Sequence, residues 1–113
     1  MQSSPLDSRF KAIIFLTRQP DTTRDAFRDW WLTEHRTLAE RLPRLRRHTF
    51  NLLPEDSPYD AVVEQWFDSA EALEAAYRTE AGRAVARDST AHVAFRQRVT
   101  VTEHVFDIDP EQS

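Results

Sequence analysis

Among the four histidines of this 113-residue chain, His35 has the surroundings that proton-transfer chemistry requires. Phe27, Trp31, His35, Leu38 and Leu42 recur at three- and four-residue intervals. On an α-helix that spacing gathers them into one stripe and turns the imidazole toward the packed side of the fold. A half-desolvated imidazole titrates near neutrality and moves protons in either direction, as enolisation, dehydration and aldol-type ring closure all require. A core histidine satisfied by one hydrogen bond produces the same spacing. Trp30, Trp31, Trp66 and Tyr77 are the residues suited to wall a pocket for a flat apolar ligand, and core packing accounts for them equally well. His48 lies among Arg44, Arg46 and Arg47, and His92 in a weakly patterned segment, so both have lesser claims.

Other chemistries lack their residues. The chain has no cysteine, which removes disulfides, thiolate metal sites, iron–sulfur clusters and thiol nucleophiles, and leaves the cytoplasm as the expected compartment. Its one glycine, Gly82, cannot supply a dinucleotide fingerprint or a phosphate-cradling loop. A helical metal pair would need a second histidine four residues after His35, where Ala39 stands, and no serine sits in a nucleophile elbow. No cofactor and no metal are therefore expected. Fifteen Lys and Arg against nineteen Asp and Glu give a net charge of −4, which disfavours nucleic acid and anionic lipid as partners. The run Arg41-x-x-Arg44-x-Arg46-Arg47 reads as a solvated helix end and strand edge. The amino terminus lacks a signal-like apolar run, and no stretch approaches the length of a membrane span.

The elements that must position these residues follow from period and punctuation. Phe10–Leu16 is apolar and rich in β-branched and aromatic residues, a buried strand broken at Gln19-Pro20-Asp21. Thr22 or Thr23 starts a helix, with Thr22-x-x-Asp25 as a variant capping box, and Pro43 ends it near Leu42. Arg46–Leu53 alternates as a second strand, and Asp60–Phe67 as a third. Asp68 or Ser69 starts a second helix carrying Leu73, Ala76 and Tyr77 inward, with further helical pieces to about Phe95. Arg98–Phe106 alternates as the last strand. Residues 1–9 and 107–113 read as flexible tails around one domain spanning 10–106.

The order β-α-β-β-α-β is the split βαβ pattern, an α+β ferredoxin-like protomer with a four-stranded antiparallel sheet and both helices on one face. Both parities of the first strand are apolar, so the uncovered face also needs burial. A second copy of the sheet is the simplest cover, and a homodimer is expected.

Five stretches together resemble the EthD family of the dimeric α+β barrel superfamily. They are Phe10–Leu16, Phe27-x-x-Trp30-Trp31-x-x-x-His35, Leu42-Pro43-x-Leu45-x-x-His48, Tyr59-Asp60-x-Val62-x-Glu64-x-Trp66-Phe67-Asp68-Ser69 and Thr102–Phe106. The resemblance implies a dimeric barrel built from two such protomers. It also implies an activity among lactone isomerisation, polyketide cyclisation and cofactor-free oxygenation, which the fold does not choose between. Lactone isomerases of this family use a histidine at the place of His35. The strand cysteine they also use has no counterpart here.

The same resemblance places polar groups in the strands at Glu64 and His104, each a candidate to orient His35 or act on substrate. Glu64 shares a face with Val62 and Trp66, and His104 with Thr102 and Phe106, while the direction of each face is open. The expected activity is cofactor-independent acid/base catalysis on a small hydrophobic or aromatic carbonyl compound, as a lactone isomerase or polyketide cyclase or dehydratase. The alternatives are a cofactor-free monooxygenase of a phenolic substrate and a non-catalytic small-molecule-binding accessory protein.

Overall fold

A computed structural model describes residues 10–112 of the chain. Four strands, β1 (Phe10–Arg18), β2 (Arg47–Leu52), β3 (Ala61–Phe67) and β4 (Val93–Thr102), form an antiparallel sheet in the order β2-β3-β1-β4. Because side chains alternate along a strand, the register divides the sheet into two chemically distinct faces. Ala12, Ile14 and Leu16 of β1 lie beside Gln65, Val63 and Ala61 of β3, all buried beneath the helices. Lys11, Ile13 and Phe15 pair with Trp66, Glu64 and Val62 on the opposite face, which no helix among the described residues covers. The α+β ferredoxin-like architecture is thus as expected.

The first helical run starts where Thr23 caps it, its Oγ1 accepting the Ala26 N–H at 3.1 Å. Helix α1 (Arg24–Trp30) continues through a π-helical turn (Trp31–His35) into α2 (Arg36–Ala39). The π-turn holds an extra residue per turn, so Trp31, His35 and Ala39 stay aligned at intervals of four. Leu38, placed inward by an ideal α-helical stripe, is rotated to the margin and Ala39 takes the core position. After Pro43, Arg44 turns the chain with a positive φ of 66°.

Helix α3 (Ala70–Tyr77) is capped by Ser69 and α4 (Glu80–His92) by Thr79, whose Oγ1 accepts the Gly82 N–H at 3.1 Å. Gly82 lets the first turn of α4 close on the end of α3. A β-carbon there would stand 2.4 Å from the Tyr77 Cα and 2.5 Å from the Ala76 carbonyl oxygen.

Helix α4 stops at His92 rather than near Phe95, and β4 runs from Val93 to Thr102 rather than from Arg98 to Phe106. Among the described residues β4 is an edge strand paired with β1 alone, Arg18 lying opposite Val93 at one end and Phe10 opposite Thr102 at the other. Residues 103–109 are irregular, with Phe106 and Ile108 exposed, and Pro110–Gln112 form a 3-10 turn. The tail assigned to residues 1–9 lies outside the described residues. Among the described residues no helix is long and apolar enough to cross a membrane.

Two adjoining clusters make the core. Phe67, Leu73, Ala76 and Val85 pack with Ala12, Ala39 and Leu42, while Phe27, Trp30 and Trp31 pack with Ile14, Leu16 and Val63. Gly82→Ala is expected to cost about 1–3 kcal/mol, the range for overpacking against atoms that cannot yield. Denaturant melts of the two proteins should show the loss, and equal midpoints would refute the close approach.

Candidate active site

Helix α4 lays Val85, Asp88, Ser89 and His92 toward the π-turn at intervals of three and four. Asp88 is the meeting point. Its Oδ2 accepts from His35 Nδ1 at 2.9 Å and from the Trp30 indole N–H at 3.1 Å. His92 Nδ1 lies 3.2 Å from Asp88 Oδ1 and 2.9 Å from the Asp88 carbonyl oxygen, and its ring stacks on Trp30 at 4.7 Å. A carboxylate can only accept, so the proton of neutral His35 sits on Nδ1 and the lone pair on Nε2.

His35 is 5% exposed and borders a small internal cavity between helices and sheet. Trp31, Gln65, Tyr77, Ser89 and Arg96 contribute to its wall, with Ile14 and Val63 beneath. The Tyr77 hydroxyl donates to Gln65 Oε1 at 2.7 Å, which satisfies a side chain otherwise buried in the core row of β3. The free volume is about 10 Å³, room for a single water.

Burial pushes the His35 imidazole below its ordinary value of 6.5, Asp88 opposes that, and the positive charge of Arg96 adds to the depression. The ring is therefore held neutral at neutral pH, ready to accept a proton at Nε2. Among the described residues no group of three or more ionisable side chains is disposed to hold a metal ion. Where His35 and His92 meet at Asp88, each presents Nδ1 to that residue's oxygens.

The sequence candidates separate. His35, Trp31 and Tyr77 reach the cavity, and Trp30 supports it through Asp88. Glu64 and Trp66 point to the opposite sheet face, because their parity is that of Val62 and not of Val63 and Gln65. There Glu64 accepts from Lys11 Nζ and the Thr49 hydroxyl, each at 2.9 Å. Burial would raise the Glu64 carboxyl, but those hydrogen bonds outweigh it and hold the group low. Trp66 donates its indole N–H to Glu103 and lies between Lys11 and the Arg47 guanidinium. His104 is exposed beyond the end of β4, away from His35, since the strand that would have aimed it stops at Thr102. Neither Glu64 nor His104 can orient His35 within the protomer.

His48, Arg36 and Glu40 border a separate open groove of about 360 Å³ on the far side of Trp31. Asp88, Ser89 and Arg96 went unrecognised in the sequence. The spacing of Val85, Asp88, Ser89 and His92 was the available signal for the first two.

The EthD domain family matches residues 19–95, a stretch that contains α1, the π-turn, β2, β3 and both later helices. The chain belongs to the EthD family. An EthD family protein from Bacillus halodurans superposes with a TM-score of 0.74 at 23% identity, covering 84% of this chain and 98% of that one. A dimeric ferredoxin-like protein of unknown function from Thermobifida fusca gives 0.69 at 18% identity, covering 86% and 92%. SnoaB, a cofactor-independent oxygenase from Streptomyces nogalater, gives 0.67 at 15% identity, covering 88% and 96%. At these identities the likeness concerns the fold. Among curated proteins nothing matches this EthD chain.

The depressed imidazole has a consequence for stability. An unfolded histidine takes up its proton at a higher pH than the buried ring, so the His35 contribution is complete above pH 6.5 and declines as pH falls below it. Asp88→Asn removes the charge that opposes the depression. His35 in that variant should titrate lower still, read from its ring nitrogen NMR shifts, and an upward move would contradict the assigned geometry.

Proposed function

We propose that this EthD protein is a cofactor-independent acid/base catalyst for a small hydrophobic carbonyl compound, with His35 Nε2 as the proton-transferring atom. The observation that carries the reading is a buried, neutral imidazole whose Nδ1 is committed to Asp88 while the ring borders an internal cavity. In an isomerisation Nε2 would take a proton from the carbon beside the carbonyl, the electron pair moving onto the carbonyl oxygen. Return of that proton to another carbon would complete a lactone or enone isomerisation. Loss of hydroxide in place of that return would make the step a dehydration, as polyketide cyclisation requires. Tyr77, Trp31 and Ile14 supply an apolar surround in which such a step is shielded from bulk water.

The cavity as packed has room for one water, so substrate must part its walls. That observation favours, as a second reading, a protein that binds a small molecule without turning it over. A homodimer is part of the proposal. Ile13, Phe15, Val62, Val99 and Val101 give the uncovered sheet face an apolar band, and the Thermobifida fusca neighbour is described as dimeric.

The test is exchange of α-carbon protons in heavy water across a panel of lactones and 1,3-dicarbonyl compounds, followed by proton NMR. Wild-type protein should accelerate exchange of at least one compound, and His35→Gln should slow it by roughly 10²-fold or more while the fold is retained. Equal rates in the two proteins would overturn the assignment. Saturable binding without exchange supports the second reading, and oxygen uptake on phenols would point instead to cofactor-free oxygenation.

A further inference from the structure

Arg96 is the one formally charged residue in the wall of the His35 cavity. It stands on the helix-side face of the edge strand β4, in register with Leu16, and is half-buried. The arginine two residues along the same face, Arg98, is engaged: its guanidinium lies 4.7 Å over the Tyr77 ring and 3.9 Å from Glu74. Arg96 enters no ion pair among the described residues. No carboxylate lines the cavity, and Asp88, the acid behind it, is occupied by Trp30, His35 and His92.

Partial removal of a guanidinium from water without a counter-charge is unfavourable, and a buried imidazole nearby gains nothing from it. The arrangement becomes favourable when an anion arrives. A planar carboxylate suits the two-pronged guanidinium better than a tetrahedral anion does, because both oxygens accept in one plane. One cation in a wall with no other formal charge balances one negative charge. A monocarboxylate with a hydrophobic body meets both conditions.

We infer that Arg96 is a specificity-determining residue that binds the carboxylate of a small apolar or aromatic acid at the His35 cavity. This rests on the reading of that cavity as the substrate site, and it narrows the substrate from a carbonyl compound to one that also carries a carboxylate. The bound anion also offsets the positive charge that Arg96 imposes on His35, so an acid of this kind eases proton uptake at Nε2.

Sodium benzoate and its neutral isostere benzamide are suitable probes, followed on the full chain by amide NMR titration. Wild-type protein should bind benzoate with shifts centred on Ser89 and Arg96, and benzamide roughly tenfold or more weakly, the range of one charge-assisted pair. Arg96→Gln should abolish the preference. Arg96→Lys should keep part of it, which also covers the case in which the glutamine variant fails to fold. Arg87→Gln, on the exposed side of α4, should leave it intact. His35→Gln should still prefer benzoate, so loss of catalysis and loss of carboxylate recognition are separable. Equal affinity for the two probes, absence of benzoate binding, or a preference that survives in Arg96→Gln would each overturn the inference.

Discussion

The Asp88 carboxylate is the constraint around which the helical layer is arranged. It joins two segments more than fifty residues apart, taking the His35 imidazole and the Trp30 indole from the π-turn region while its own helix supplies His92. Removing any donor would leave the others to satisfy a partly desolvated acid, so the group behaves as a unit. The same bond decides the chemistry of the cavity. By fixing Nδ1 as the protonated nitrogen it leaves Nε2 as the base, and a ring free to flip would have no defined role.

Influences of opposite sign act on that imidazole: burial and the charges of Arg96 and His92 disfavour the imidazolium, Asp88 favours it, and the balance keeps the ring neutral. The π-turn carries Trp31 and His35, both buried, and its wider pitch keeps Ala39 of the following helix in line with them.

The uncovered sheet face follows a different design. Its apolar band is interrupted at one end by Lys11, bonded to both Glu64 and Glu103 at 2.9 Å, with Trp66 laid against the cation. Burial would lower the Lys11 ammonium, yet its two carboxylate partners more than compensate and raise it. A satisfied ionic cluster beside apolar side chains restricts how a second surface can approach, since misplacement would strand desolvated charge.

Element order and sheet composition were legible because they rest on local rules, periods of two and of three to four, and the two helix starts were legible to within a residue, Thr22 or Thr23 and Asp68 or Ser69, from short polar side chains before helical runs. His35 was legible for the same reason, as was the need for cover on both sheet faces. The face on which Glu64 and Trp66 lie was open, because alternation states which residues share a face and not which face meets the helices. The bounds of β4, and with them the exposed position of His104 beyond Thr102, were set by pairing with β1, a strand distant in the sequence. Asp88 carried a signal only in the spacing of its helix face, and Arg96 acquires its meaning from packing alone. The sequence by itself determined the α+β fold and an inward histidine, since hydrophobic period is written into neighbouring residues. Tertiary structure decided which acid holds that histidine and which cation faces it, since both depend on contacts between residues distant in the chain.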